Sequence, residues 1–122
     1  MSDDKVLIVM TSGPDTPRRC ATPFFMATLA AAMDYDVTMF FTIDGTLLLK
    51  KGLAETIFPK AGGKSVGAFL KEALEAGVKI MACSASTELH DLVPEDLIEG
   101  VKMMGGTSLW QIAEDCKTVL SF

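Results

Sequence analysis

The sequence predicts an α/β protein: one domain built on a doubly wound, mainly parallel five-stranded sheet with helices on both faces. Three observations carry this. Short apolar runs rich in β-branched residues, at 5–10, 37–43 and 78–82, suit strands buried on both faces. Longer segments with helical spacing and capping residues lie between them, so strand and helix alternate. The length of 122 residues holds one core and no second domain.

Lys5–Met10, KVLIVM, is the first strand and ends at the turn Thr11-Ser12-Gly13-Pro14. Asp15 or Thr16 then caps a helix expected over residues 17–33, with Pro17 at its first position and Phe24, Leu29 and Met33 buried. Arg18 and Arg19 fall in its first turn, where the macrodipole disfavours positive charge. They point either to a nearby anion or acidic partner, or simply to two solvated side chains. Cys20, one turn on, either packs against the sheet or shares a mouth with the later Cys83.

The second strand, residues 37–43, stops at Asp44-Gly45, where glycine is expected to supply a positive φ. Asp44 either bonds its own backbone there or presents a carboxylate near Cys83. Leu47, Leu48 and Leu49 cannot share one helical stripe. They read either as a short buried helix under the second strand or as a self-association surface. Residues 61–64, AGGK, form a link without the frame of a phosphate cradle. Ser65 caps an amphipathic helix that buries Val66, Phe69, Leu70, Ala73 and Leu74, and Gly77 closes it.

The third strand, residues 78–82, delivers Cys83 directly into the small polar run Ser84-Ala85-Ser86-Thr87. Ligands of open parallel sheets gather at the carboxyl ends of strands, so a thiol there is placed for chemistry. Backbone N–H groups near Ser84 and Ala85, where a turn and short helix begin, favour a thiolate. The competing reading is a cysteine that merely fills apolar space. His90, the single histidine, lies seven residues further on. Two turns of continuous helix separate such residues by about 10 Å, so contact with Cys83 needs a bent segment. His90 is therefore either a tuning base or a structural side chain.

Pro94 opens another helical turn, residues 99–104 read as the fourth strand, and Gly105-Gly106 as a turn. Thr107 or Ser108 caps the last helix, in which Leu109, Ile112, Ala113 and Cys116 share a face. That assigns Cys116 to the core. Trp110 lies off the stripe, at the surface or in a subunit contact. Residues 117–122 are the closing strand.

Composition narrows the function. A net charge of -5 leaves no basic footprint for nucleic acid. No run approaches the ~18 apolar residues of a membrane span. The acidic start runs straight into a strand rather than a secretory signal, so a cytoplasmic location with reduced thiols is expected. Three cysteines without CxxC spacing and one histidine indicate neither a disulfide framework nor a metal site. No GxSxG elbow supports a Ser-His-Asp hydrolase. A flavin or nucleotide module at the sheet edge stays open on the fold alone. Sulfur carriage, by contrast, needs a single thiolate and no cofactor.

The stretches KVLIVMTSGPDTP, FFTIDGTLLLKKG and IMACSAST, with the closing helix and strand, resemble the DsrE/DsrF-like family over nearly the whole chain. The likeness is greatest to stand-alone DsrE-like sulfurtransferases of sulfur-oxidising prokaryotes. It implies a small flavodoxin-like α/β protein, usually a homotrimer or homohexamer, whose cysteine carries sulfur as a persulfide or thiosulfonate. That role transfers onto Cys83 alone. The expected partners are TusA-like and rhodanese-like proteins, with thiosulfate or polysulfide as a possible donor. Arg18 or Arg19 would steer such an anion, and Asp44 or His90 would tune the mouth. Cys20 and Cys116 stay open as second acceptors. The alternative is a non-catalytic oligomeric scaffold with an inert cysteine.

Overall fold

The structure, a computed structural model, describes residues 4–122; Met1, Ser2 and Asp3, which open the acidic start, lie outside it. Its strands are β1 (Lys5–Met10), β2 (Asp36–Phe41), β3 (Lys79–Cys83), β4 (Lys102–Met104) and β5 (Thr118–Ser121). Its helices are α1 (Thr22–Ala32), α2 (Val66–Glu75), α3 (Ser84–Leu89) and α4 (Gly106–Glu114). All strand pairs are parallel, in the order β4-β3-β2-β1-β5.

The chain steps from β1 to β4 in one direction, then recrosses the sheet to lay β5 beside β1. With right-handed crossovers, that reversal puts α1 and α2 on one face and α4 on the other. Val6, Ile8, Met10, Met39, Phe41 and Ile80 face the first layer, where they pack with Phe24, Leu48 and Leu70. Leu7 and Phe40 are buried on the second face. There Ile112 and Cys116, from α4 and just beyond it, line a cavity with Thr38 and Met81. The sheet is thus doubly wound, as the alternation of runs predicts.

Several local expectations are corrected. The helix expected over 17–33 is two pieces, a 3-10 turn at Pro17–Arg19 and then α1. Pro23 has no N–H to offer the Arg19 carbonyl four residues back, so an α ladder cannot run through this point. Thr16 occupies the cap position without a capping side chain; its hydroxyl donates to Gly13 O at 3.3 Å instead. Phe24 is buried, but Leu29 and Met33 are 43% and 65% exposed. No residue of α1 is charged, so its apolar pattern selects no face.

The second strand ends at Phe41 because Ile43 turns left-handed, with φ 54°. The positive φ expected at Gly45 is therefore at Ile43. Gly45 is needed for closeness: a Cβ there would strike the Met10 carbonyl. Of the three leucines, Leu48 and Leu49 are fully buried in a 3-10 turn, Ile43–Leu49, which favours the buried reading. Ser65 caps α2 as expected, accepting from Ala68 N–H at 3.1 Å, although Leu74 is exposed.

The fourth strand has three residues rather than six. Ile98 N–H bonds Leu49 O at 2.9 Å, holding this part of the chain on the leucine turn, and Gly100 at φ 85° redirects it into β4. Gly105, not Thr107 or Ser108, is the cap position of α4. Cys116 is half-buried rather than core, and α4 has no fully buried residue.

Candidate functional site

Cys83 is both the last residue of β3 and the cap position of α3, with φ -71° and ψ 119°. Strand register brings Phe41 opposite Ala82, so Thr42 follows opposite Cys83. A capping side chain faces the N–H groups of the second and third helical residues, which here are Ala85 and Ser86. Sγ makes no close capping bond as a thiol, yet both N–H groups favour its anion.

The side chain of Ser86 is buried against this point. Its Oγ accepts the Ile43 N–H at 2.7 Å and lies 3.0 Å from Thr42 Oγ1. Two hydroxyls carry two protons. One bridges Thr42 and Ser86 in either direction, and the other is not used in that contact and is free to turn toward the sulfur. The thiol pKa reflects this balance. Burial pushes it up, but the Ser86 hydroxyl, the Ser86 N–H, the Thr42 hydroxyl and the Ala85 N–H together bring it below the ordinary 9.0.

The turn that supplies Ile43 is tightly fixed. A β-branched residue at positive φ is strained by about 1–3 kcal/mol and persists only where its surroundings over-determine it. Here Thr42 N–H bonds Met10 O at 3.0 Å and Thr46 Oγ1 bonds Ile43 O at 2.9 Å. Gly13 and Gly45 fit flush against the Asp44 and Met10 carbonyls, where no side chain would fit.

The other two cysteines are chemically different. Cys20 is fully buried, its Sγ donates to Gly13 O at 3.3 Å and Thr16 O at 3.4 Å, and burial pushes its pKa up to about 11. Cys116 is also raised, by burial first, with Lys5 pulling down and Asp115 and Asp36 adding to the rise. It shares its cavity with Lys79, at the amino end of β3. Four residue steps along β3 carry the chain from Lys79 to Cys83, or about 13 Å. A direct sulfur exchange between Cys116 and Cys83 within one chain is out of reach.

The remaining predicted site residues divide. His90 closes the far end of α3, which is one unbent helix, so it does not reach Cys83 directly. Its Nε2 lies 3.1 Å from Asp44 Oδ1, a close approach without hydrogen-bond alignment. Arg18 and Arg19 line a cleft of about 250 Å³ with Ser12, Thr22 and Phe122, on the β5 side of the sheet. Cys83 does not line that cleft. Ser84 offers its carbonyl to Thr87 Oγ1 at 2.9 Å and no donor to the sulfur, while Ala85 does contribute its N–H. Thr42 and Ser86 were not singled out from the sequence. A hydroxyl three residues after a strand-end cysteine was the available signal for Ser86. No group of three or more metal-ligating side chains occurs among the described residues.

Residues 4–122 match the DsrE/DsrF-like family. Among curated proteins, sulfur carrier protein DsrE2 of Allochromatium vinosum is 29% identical, with 93% of this chain and 94% of that protein covered. An uncharacterised protein of Methanocaldococcus jannaschii is 30% identical over 84% of this chain, but the match spans only 37% of that longer protein. The crystal structure of the ychN protein from E. coli superposes with a TM-score of 0.82 at 19% identity, covering 98% of this chain and 99% of the other. A Methanobacterium thermoautotrophicum protein of unknown function superposes with a TM-score of 0.67 at 14% identity, covering 97% and 99%. These two likenesses speak for the fold.

Proposed function

The chain belongs to the DsrE/DsrF-like family, and from that premise we propose that it relays sulfur, with Cys83 as the residue that takes up sulfane sulfur as a persulfide. Family membership and the sulfur-carrier relative support the general role. The single observation that supports Cys83 as the carrier is the contrast among the thiols. Cys83 alone is lowered, at a strand end between two hydroxyls, while Cys20 and Cys116 are raised by burial.

The thiolate of Cys83 attacks the terminal sulfur of a donor and displaces the donor's own thiolate, or sulfite when the donor is thiosulfate. A bond forms from Sγ to the transferred sulfur and the donor bond to it breaks. The thiolate of a protein acceptor then attacks the same terminal sulfur and Sγ leaves as thiolate. TusA-like and rhodanese-like proteins are the partners this reading expects, in the cytoplasm. No helix of the described residues is long and apolar enough to cross a membrane. Cys83 is not among the residues that line the Arg18–Arg19 cleft, so an anion held there would not lie against the sulfur, which favours a protein donor. The exposed apolar side chains Phe25, Met26, Leu29 and Met33 favour self-association, which the resemblance puts at a homotrimer or homohexamer.

The test is intact-protein mass spectrometry after incubation with polysulfide or thiosulfate. Sulfur addition to the wild type that is absent in Cys83→Ser supports the reading. Equal addition to both proteins overturns it and leaves the scaffold.

A further inference from the structure

The persulfide reading leaves open which half of the relay the hydroxyl pair serves. In a persulfide the reactive sulfur is the terminal one, about 2 Å beyond Sγ. Strand register sets Thr42 beside Cys83, and Ser86 is the third residue of the helix that Cys83 caps, so both flank the residue whose Sγ becomes the leaving group when sulfur departs. Their proton count leaves one O–H for that atom whichever way the 3.0 Å contact between them is polarised. Ile43 N–H occupies an acceptor position of Ser86 at 2.7 Å, and the strained φ of 54° shows how firmly that N–H is aimed.

We propose that Thr42 and Ser86 are catalytic residues for sulfur release, donating a hydrogen bond to Cys83 Sγ as it departs from the transferred sulfur, with Ile43 as the positioning residue for Ser86. This rests on the persulfide reading and adds a division of labour to it. In release, the acceptor thiolate forms a bond to the terminal sulfur, the bond from Sγ to that sulfur breaks, and its electron pair stays on Sγ. The proton of the persulfide stays with the transferred sulfur. No oxidant or reductant is consumed. A leaving thiolate departs faster the better its charge is stabilised, whereas an attacking thiolate is made less nucleophilic by the same stabilisation. Once Cys83 is fully ionised, the two hydroxyls therefore speed release and slow loading.

The opposite signs make the test. Full-length wild type, Thr42→Val, Thr42→Ser and Ser86→Ala are loaded with inorganic polysulfide, freed of excess reagent and mixed with glutathione. Loading and loss of one sulfur are followed by intact mass, at one pH above the measured Cys83 pKa of every variant. The expected result is release slowed roughly threefold in Thr42→Val, with loading unchanged or faster. Thr42→Ser, which keeps the hydroxyl, restores release. Ser86→Ala acts in the same direction, and should it fold poorly, the Thr42 pair carries the comparison. Wild-type release rates in Thr42→Val overturn the division of labour and leave the persulfide standing. Failure of the wild type to load at Cys83 overturns the persulfide reading itself.

Discussion

Ser86 Oγ accepts the N–H of Ile43 at 2.7 Å, across 43 residues of sequence, and this bond ties the end of β2 to the start of α3 beside the candidate nucleophile. It fixes one acceptor position of a hydroxyl that would otherwise rotate. Its removal is expected to be felt first at the sulfur. Ser86→Ala should raise the pH midpoint of iodoacetamide labelling at Cys83. The wild-type midpoint should lie below the ordinary thiol value of 9.0, because hydrogen bonding outweighs burial there. Peptide mapping at neutral pH should find Cys83 labelled well ahead of Cys20 and Cys116. A wild-type midpoint at or above 9.0 contradicts this.

Cys20 supplies the opposite pH effect. Its folded pKa is raised to about 11, while the unfolded chain ionises near 9.0. The fold's preference for the neutral thiol thus contributes fully below about pH 9 and is lost as pH rises through about 11. The loss should be roughly 3 kcal/mol at most, read by urea unfolding at a series of pH values. Cys20→Ala should lower stability at neutral pH by leaving a small cavity, but flatten the alkaline decline. An equally steep decline in both proteins would remove Cys20 as its source.

Gly45 holds the site turn against β1. In Gly45→Ala the new methyl meets the Met10 carbonyl, backbone that cannot swing aside. Overpacking of this kind costs about 1–3 kcal/mol or more. The melting temperature should fall by several degrees, and labelling of Cys83 should lose its selectivity because Ile43 and Ser86 shift with the turn. Gly52→Ala is the control for space, since nothing lies within 4 Å of its added methyl. Its own positive φ gives it a modest strain but no effect on the thiol.

Phe25, Met26, Leu29 and Met33 leave α1 apolar on its outer side as well as its inner one. If subunits cover that side, Leu29→Glu combined with Met33→Glu should dissociate the assembly while leaving the far-ultraviolet circular dichroism intact. Sedimentation velocity reads the change directly. An unchanged sedimentation coefficient would exclude α1 from the subunit contact.

The alternation of strand and helix was legible because buried parallel strands write themselves as unbroken apolar runs, and Lys5–Met10 and β3 are such runs. The position of Cys83 at a strand end was legible for the same reason, since it is the residue at which one of those runs stops. The break between the Pro17–Arg19 turn and α1 was signalled by Pro23, which cannot continue an α ladder from residue 17. Which face of α1 is inward was not legible, since eleven uncharged residues carry no polarity to read. The hydroxyl pair was hidden because it joins residues 42 and 86 through strand register and a left-handed isoleucine. No local propensity predicts that conformation at a β-branched residue. His90 and Asp44 were both legible as polar residues of one edge, but their 3.1 Å approach to each other, which joins two separate segments, was not.

Sulfur carriage by Cys83 is tested most directly by finding which sulfur atom of the protein is modified. Wild-type protein is treated with polysulfide, trapped with an alkylating reagent without reductant, digested and sequenced by mass spectrometry. Persulfide is expected on the peptide carrying Cys83, and its loss is expected when a protein thiol acceptor is added before trapping. Persulfide found mainly on Cys20 or Cys116, or none on Cys83, would contradict carriage by Cys83.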